Sequence, residues 1–168
     1  VISANDVACA IGETISGSEE EFGQLMTEKA KELGAMNSQF KNAHGLHHSE
    51  HYTTAYDMAL IGKEALRYPF LMKTMLTENH TLKTNEQEVD IYHRGNFFVE
   101  DAIGGKTGYT SKAGNTLIKI DEVDNKKIVH VILNSNRYQI YDDMEKLKTY
   151  SAPFLTRATV LSAKDEKK

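Results

Sequence analysis

The sequence predicts an α+β fold, an antiparallel sheet flanked by helices, and three observations carry that expectation. A capped amphipathic run lies between Ser18 and Gly34, a second helical run starts at Thr54, and from Ile103 the character changes to strands. At 168 residues the chain is one domain's worth, enough to bury a sizeable core. Its 40% hydrophobic and 26% charged residues are those of an ordinary globular protein. The net charge of −4 gives no basic footprint for nucleic acid. Cys9, the single cysteine, excludes an internal disulfide framework, and no run of 18 apolar residues marks a membrane span.

Taken in order, the chain opens Val1-Ile2-Ser3 without Met or a signal-peptide pattern, and reads as cut from something longer by processing or trimming. Ser3-Ala4-Asn5-Asp6 leads into a short apolar helix through Val7–Ile11, weakened and ended by Gly12 and Ser16-Gly17. Ser18 with Glu21 three residues on is a capping box, because hydroxyl and carboxylate satisfy helix-start N–H groups. Phe22, Leu25, Met26, Ala30 and Leu33 then recur at helical spacing, and Gly34 sits where a C-terminal cap belongs. Met36–Tyr52 is irregular and rich in His, Asn and Gly. Thr54 and Asp57 start the next helix, through Met58, Ile61, Ala65 and Leu66. Pro69 breaks it, and Phe70–Leu76 is a further helical piece. Thr81–Asn96 reads as extended. Ile103–Thr110, Asn115–Asp121 and Lys127–Asn134 form an antiparallel meander joined by short Gly, Asn and Asp turns. Ile128–Leu133 is apolar on both faces, which suits a central strand. Ile140, Met144, Leu147 and Phe154 mark a closing helix, and the tail Ala163–Lys168 is charged and frayed.

The stretch with chemistry in it is Gly104-Gly105-Lys106-Thr107-Gly108-Tyr109-Thr110 at a strand edge. Glycines there let a substrate backbone come close, while Lys106 and Thr107 can meet a negative charge. Lys-Thr-Gly alone is common by chance, so its weight depends on a partner, and Ser3-x-Asn5 supplies one. Together they resemble the second and third motifs of the penicillin-recognising serine DD-peptidases and β-lactamases. Asn42-Ala43-His44-Gly45-Leu46, the stretch Tyr52–Ala59, and Ala113-Gly114 after the Lys-Thr-Gly strand are similar to the D-alanyl-D-alanine carboxypeptidase branch in particular. The likeness runs in order over roughly Val1–Leu133.

The resemblance implies a serine-type carboxypeptidase that removes the terminal D-alanine of peptidoglycan stem peptides through an acyl-enzyme. It implies catalytic roles for Ser3 (proton relay to the leaving amine), Asn5 (hold on the substrate amide) and Lys106. Thr107, Gly108 and Tyr109 would bind substrate: Lys106 and Thr107 hold its terminal carboxylate, and the Tyr109 N–H is an oxyanion donor. The family's S-x-x-K nucleophile motif precedes S-x-N. Here the single hit, Ser38-Gln39-Phe40-Lys41, follows it in a loop-like setting, so the nucleophile is expected upstream of Val1. Residues 1–160 would then be a catalytic domain truncated at its front and 161–168 a tail. The missing segment, as a second polypeptide or another copy, would be a partner needed for folding. Peptidoglycan stem peptides and β-lactams are the expected ligands, no metal or organic cofactor is implied, and the location is outside the cytoplasmic membrane. A β-lactamase, or an inactive ligand-binding or structural domain of this fold, remains open as an alternative.

Two other patterns are weaker. His47-His48-Ser49-Glu50-His51 has the H-x-x-E-H spacing of a zinc-peptidase class, but fewer than three turns separate Gly45 from the Thr54 cap and no third ligand is evident. A solvated loop is expected there, with His44 and Asp57 ordering it. A P-loop is excluded because its first Gly would fall at Glu100.

Overall fold

The structure, a computed structural model, describes residues 2–93 and 102–165, with side chains as far as Leu155. Val1, Glu100, the last three residues of the expected extended stretch (94–96) and the end of the tail (166–168) lie outside the described residues.

Helix α1 (Asn5–Ser16) stops at Gly17, whose φ of 86° places its N–H 2.8 Å from the Glu13 carbonyl. Only glycine takes that left-handed geometry without crowding a Cβ. Gly12 has a packing reason, since a Cβ there would lie 2.8 Å from the Phe22 ring of the next helix. Ser18 caps α2 (Glu19–Glu32): its Oγ accepts the Glu21 N–H at 3.2 Å and donates to the Glu21 carboxylate. The far end is a Schellman turn, with Ala35 N–H on the Ala30 carbonyl and Gly34 N–H on that of Lys31.

Residues 36–54 have no helix and make one isolated bridge, Gln39 to Tyr52. Thr54 Oγ1 accepts the Asp57 N–H and opens α3 (Ala55–Ala65), and Pro69 opens α4 (Pro69–Met75), where a missing N–H costs nothing. A two-stranded hairpin follows, β1 (Asn79–Lys83) with β2 (Glu88–Tyr92).

The meander is β3 (Ala102–Thr110), β4 (Gly114–Val123) and β5 (Lys126–Ser135), all antiparallel, in the order β3-β4-β5. Asp124 and Asn125 both have positive φ, the two-residue turn whose twist matches a hairpin. Helix α3 lies on one face: a Cβ on Gly62 would meet Val129 Cγ1 at 2.8 Å and Ile118 Cγ2 at 3.6 Å. Helix α5 (Ile140–Asp165) covers the other with Ile140 and Met144 against Leu117 and Ile132. It runs past residue 160, where the tail was expected to begin.

Among the described residues β4 is the middle strand and β5 an edge, so Ile128–Leu133 has a neighbouring strand on one side only. Its two apolar faces answer to helices above and below, α3 and α5, rather than to strands on both sides.

Candidate active site

Strand β3 is the outer strand opposite β5, and α4 packs on its first half. A Cβ on Gly104 would overlap Met72 Cε and lie 3.5 Å from Met75 Sδ. That glycine therefore makes room for α4, not for a substrate. At Gly108 a Cβ would come within 2.6 Å of Thr116 Oγ1 on the paired strand.

Between these two close contacts stands Lys106, with its side chain exposed. Among the described residues its ammonium reaches only the neighbouring Thr107 carbonyl and has no carboxylate partner. Partial desolvation holds it below the ordinary lysine range. With no carboxylate beside it among the described residues, the ammonium is open to an anionic ligand. Thr107 is partly buried, and Gly108 and Tyr109 are exposed, so the stretch is accessible along the strand.

His93, at the end of β2, was not singled out by the sequence. Burial pushes its imidazole down, against a hydrogen bond to the Met75 backbone, and the Lys106 ammonium acts in the same direction. The ring therefore favours the neutral form, within range of the Lys106 charge. No local signal marks it, because α4 and the hairpin bring it there.

At the other motif, Ser3 has a φ of 56°, uncommon for a residue with a Cβ. Ala4, not Ser3, is the N-cap of α1, and no side chain caps that helix. The Ser3 hydroxyl is thus not spent on the helix start, although Ser is a favoured cap. Asn5 opens the helix and is exposed. Among the described residues no hydrogen bond or ion pair joins Ser3 or Asn5 to Lys106 or Thr107, so the two motifs do not engage each other there.

Ser38 is in a different situation. It is 2% exposed, and its Oγ lies 2.7 Å from Asp57 Oδ2 and 2.8 Å from Thr53 Oγ1. Asp57 also accepts the Asn37 N–H at 2.7 Å, so this buried carboxylate ties the irregular segment to α3. Lys41 is paired with Glu50 at 3.1 Å, not with Ser38. Ser38 and Lys41 form no nucleophile–base pair.

The histidine-rich segment is an irregular loop. Asn42 accepts the Gly45 N–H at 2.7 Å and donates to the Leu46 carbonyl, a turn that Gly45 permits with φ 80°. His48 Nδ1 accepts the Glu50 N–H, and His51 stacks edge-on against Phe40. His44 Nε2 lies 2.9 Å from Glu19 and ties the loop to α2.

Comparison with known proteins agrees with this architecture. The family model described as D-alanyl-D-alanine carboxypeptidase matches residues 1–137. A D-alanyl-D-alanine carboxypeptidase of Bacillus subtilis, DacF, is 37% identical over 139 residues, covering 81% of this chain and 36% of that protein. The Escherichia coli carboxypeptidase DacC is 31% identical over 163 residues, covering 94% and 40%. Among solved structures, penicillin-binding protein D2 of Listeria monocytogenes in its cefotaxime-bound form is 26% identical with a TM-score of 0.75, covering 88% of this chain and 60% of that one. Penicillin-binding protein 5 of Haemophilus influenzae is 28% identical with a TM-score of 0.75, covering 91% and 44%. The chain thus spans well under half the length of the two curated relatives. A family match over 137 of 168 positions, on an α+β fold shared with these structures, shows that the chain belongs to the D-alanyl-D-alanine carboxypeptidase family.

Proposed function

We propose that residues 1–168 form one wall of the active-site cleft of a serine-type DD-carboxypeptidase that trims the terminal D-alanine from peptidoglycan stem peptides. The observation that carries the reading is Lys106: an exposed, partly desolvated cation on an outer strand, with no carboxylate partner among the described residues. Lys106 and Thr107 bind the substrate's terminal carboxylate, which fixes the scissile bond relative to the strand. Gly108 keeps the strand surface low, and the Tyr109 N–H contributes to the oxyanion hole. Ser3 passes a proton to the leaving D-alanine amine, and Asn5 holds the substrate amide. The strained, uncapped start of α1 supports those roles, because neither side chain is spent on capping the helix.

The nucleophile is a serine outside positions 1–168, since Ser38 is buried and bonded to Asp57. The segment that carries it pairs with the free edge of β5, as another part of the protein or as a second polypeptide. β-Lactams mimic the D-Ala-D-Ala end and acylate the same serine: its oxygen bonds to the lactam carbonyl carbon as the ring C–N bond opens and the ring nitrogen takes up a proton. The protein works outside the cytoplasmic membrane, where peptidoglycan is. No described helix is long and apolar enough to cross a membrane.

A second reading, a non-catalytic ligand-binding domain, has one observation in its favour: the absence of a poised Ser–Lys pair among the described residues. Fluorescent penicillin separates the two. The full protein becomes labelled at a serine outside 1–168 and releases D-alanine from a D-Ala-D-Ala peptide, while the isolated 168 residues stay unlabelled. Label mapped to Ser38 overturns the placement of the nucleophile. A full protein that is neither labelled nor active establishes the non-catalytic reading.

A further inference from the structure

Cys9 from α1, Glu19 from the first turn of α2 and His44 from the loop meet at a point that the proposed cleft does not use. Cys9 Sγ lies 3.3 Å from Glu19 Oε1, and His44 Nε2 lies 2.9 Å from the same oxygen. The three donor atoms all fall within 4.8 Å of one another, and all three residues are partly buried. A tetrahedral zinc ion, with bonds of about 2.0 Å to N and O and about 2.3 Å to S, spaces its ligand atoms roughly 3.3–3.6 Å apart. The cluster is already close to that spacing.

We propose that Cys9, Glu19 and His44 form a divalent-metal site suited to zinc, with water as fourth ligand, that staples α1 to α2 and to the loop. One thiolate, one imidazole and one carboxylate are a zinc donor set rather than one for calcium or magnesium, which prefer oxygen throughout. The three ligands come from three separate segments, so the ion would hold the helix that begins at Asn5 in one orientation.

One contact opposes the site and shows what must change. His44 Nδ1 accepts the Leu46 N–H at 3.0 Å, which leaves the ring proton on Nε2, directed at Glu19. Coordination through Nε2 moves that proton to Nδ1 and breaks the Leu46 bond. Leu46 is exposed and follows Gly45, so its N–H turns to water. The proton balance is simple: the Cys9 thiol gives up its proton to solvent, the imidazole keeps one, and one metal ion enters. Three hydrogen bonds, Leu46 N–H to His44 and the Cys9 and His44 contacts to Glu19, are exchanged for three coordination bonds.

Cobalt(II), added to the metal-free full protein, tests this. One equivalent should produce a thiolate-to-metal charge-transfer band with the intense visible bands of a four-coordinate ion, and one equivalent of zinc(II) should erase them. The C9S variant, which retains the hydrogen bond to Glu19, should lose the charge-transfer band. H44Q should bind at least tenfold more weakly, while H48Q and H51Q bind as the parent does. Without any variant, zinc(II) should slow alkylation of Cys9 at least tenfold. No thiolate band, equal binding by C9S, loss of binding in H48Q or H51Q, or unprotected Cys9 would each overturn the site.

Discussion

Lys106 and Lys119 stand one position out of register on neighbouring strands, and their surroundings are opposite. Gly105 pairs with Lys119 across β3 and β4, so the pleat sends Lys106 and Lys119 to opposite faces of the sheet. Lys119 is 3% exposed and lies 3.4 Å from Asp121 Oδ1. Asp121 Oδ2 in turn meets His130 Nδ1 at 3.0 Å, and His130 Nε2 meets Ser151 Oγ of α5 at 2.9 Å. Charge on the α5 face is answered by opposite charge and fixes a helix to the sheet. Charge at Lys106 meets no carboxylate among the described residues. The contrast separates a lysine that serves the fold from one available to a ligand, and it does so without reference to any motif.

The largest effect should fall on the α5 face. Asp121→Ala leaves Lys119 and His130 buried without their carboxylate, a loss of about 3–5 kcal/mol in denaturant unfolding. Penicillin labelling per folded molecule should stay unchanged. Burial alone would raise the Asp121 pKa, but the His130 hydrogen bond and the Lys119 charge outweigh it and leave the pKa lowered. A lowered folded-state pKa means that the contribution is fully present above the ordinary carboxylate value. It is lost as pH falls through the lowered one. The acid limb of the stability curve should therefore be shallower in Asp121→Asn than in the parent. An equally steep limb would show that other carboxylates carry it.

Next in size is Lys106→Ala. With no carboxylate partner to lose among the described residues, stability should change by less than about 0.5 kcal/mol. Affinity for a D-Ala-D-Ala peptide or a penicillin should fall roughly 10- to 100-fold, the range of a charged hydrogen bond. Stability loss as large as that of Asp121→Ala would collapse the contrast between the two lysines. Gly104→Ala lies between the two classes. Its methyl meets Met72, so overpacking should cost about 1–3 kcal/mol and displace α4 from β3. Ligand binding should weaken with it, because Lys106 is two residues along the same face.

Much of the fold is legible because its signals are local. The Ser18–Glu21 cap, the left-handed Gly34 and the three β-prone runs each depend on a few consecutive residues, and each stands where the sequence places it. What was unseen depends on distance. Hydrophobicity on both faces of Ile128–Leu133 says that something lies above and below the strand, and nothing about neighbours in the plane of the sheet. The Lys119–Asp121–His130–Ser151 chain needs the β4–β5 register and the position of α5, and no spacing encodes either. Ser38-x-x-Lys41 matches a nucleophile motif by local pattern, yet Asp57, nineteen positions on, has claimed the hydroxyl. The Lys-Thr-Gly strand could be found from sequence, but the reason for its first glycine, Met72, could not.

The smallest effect distinguishes the two lysines by solvent rather than by mutation. An exposed cation is screened once the Debye length shrinks from about 10 Å at 0.1 M salt to about 3 Å at 1 M. Carboxylate binding at Lys106 should therefore weaken a few-fold over that range. The Lys119–Asp121 pair is too buried for ions to approach, so the stability difference between parent and Asp121→Asn should not move. Measuring both in one salt series removes protein-wide effects of salt, since each is a difference between variants. If ligand affinity in the parent and in Lys106→Ala falls equally with salt, the Lys106 charge is not what the carboxylate meets, and the strand binds its ligand through Thr107 and backbone N–H groups instead.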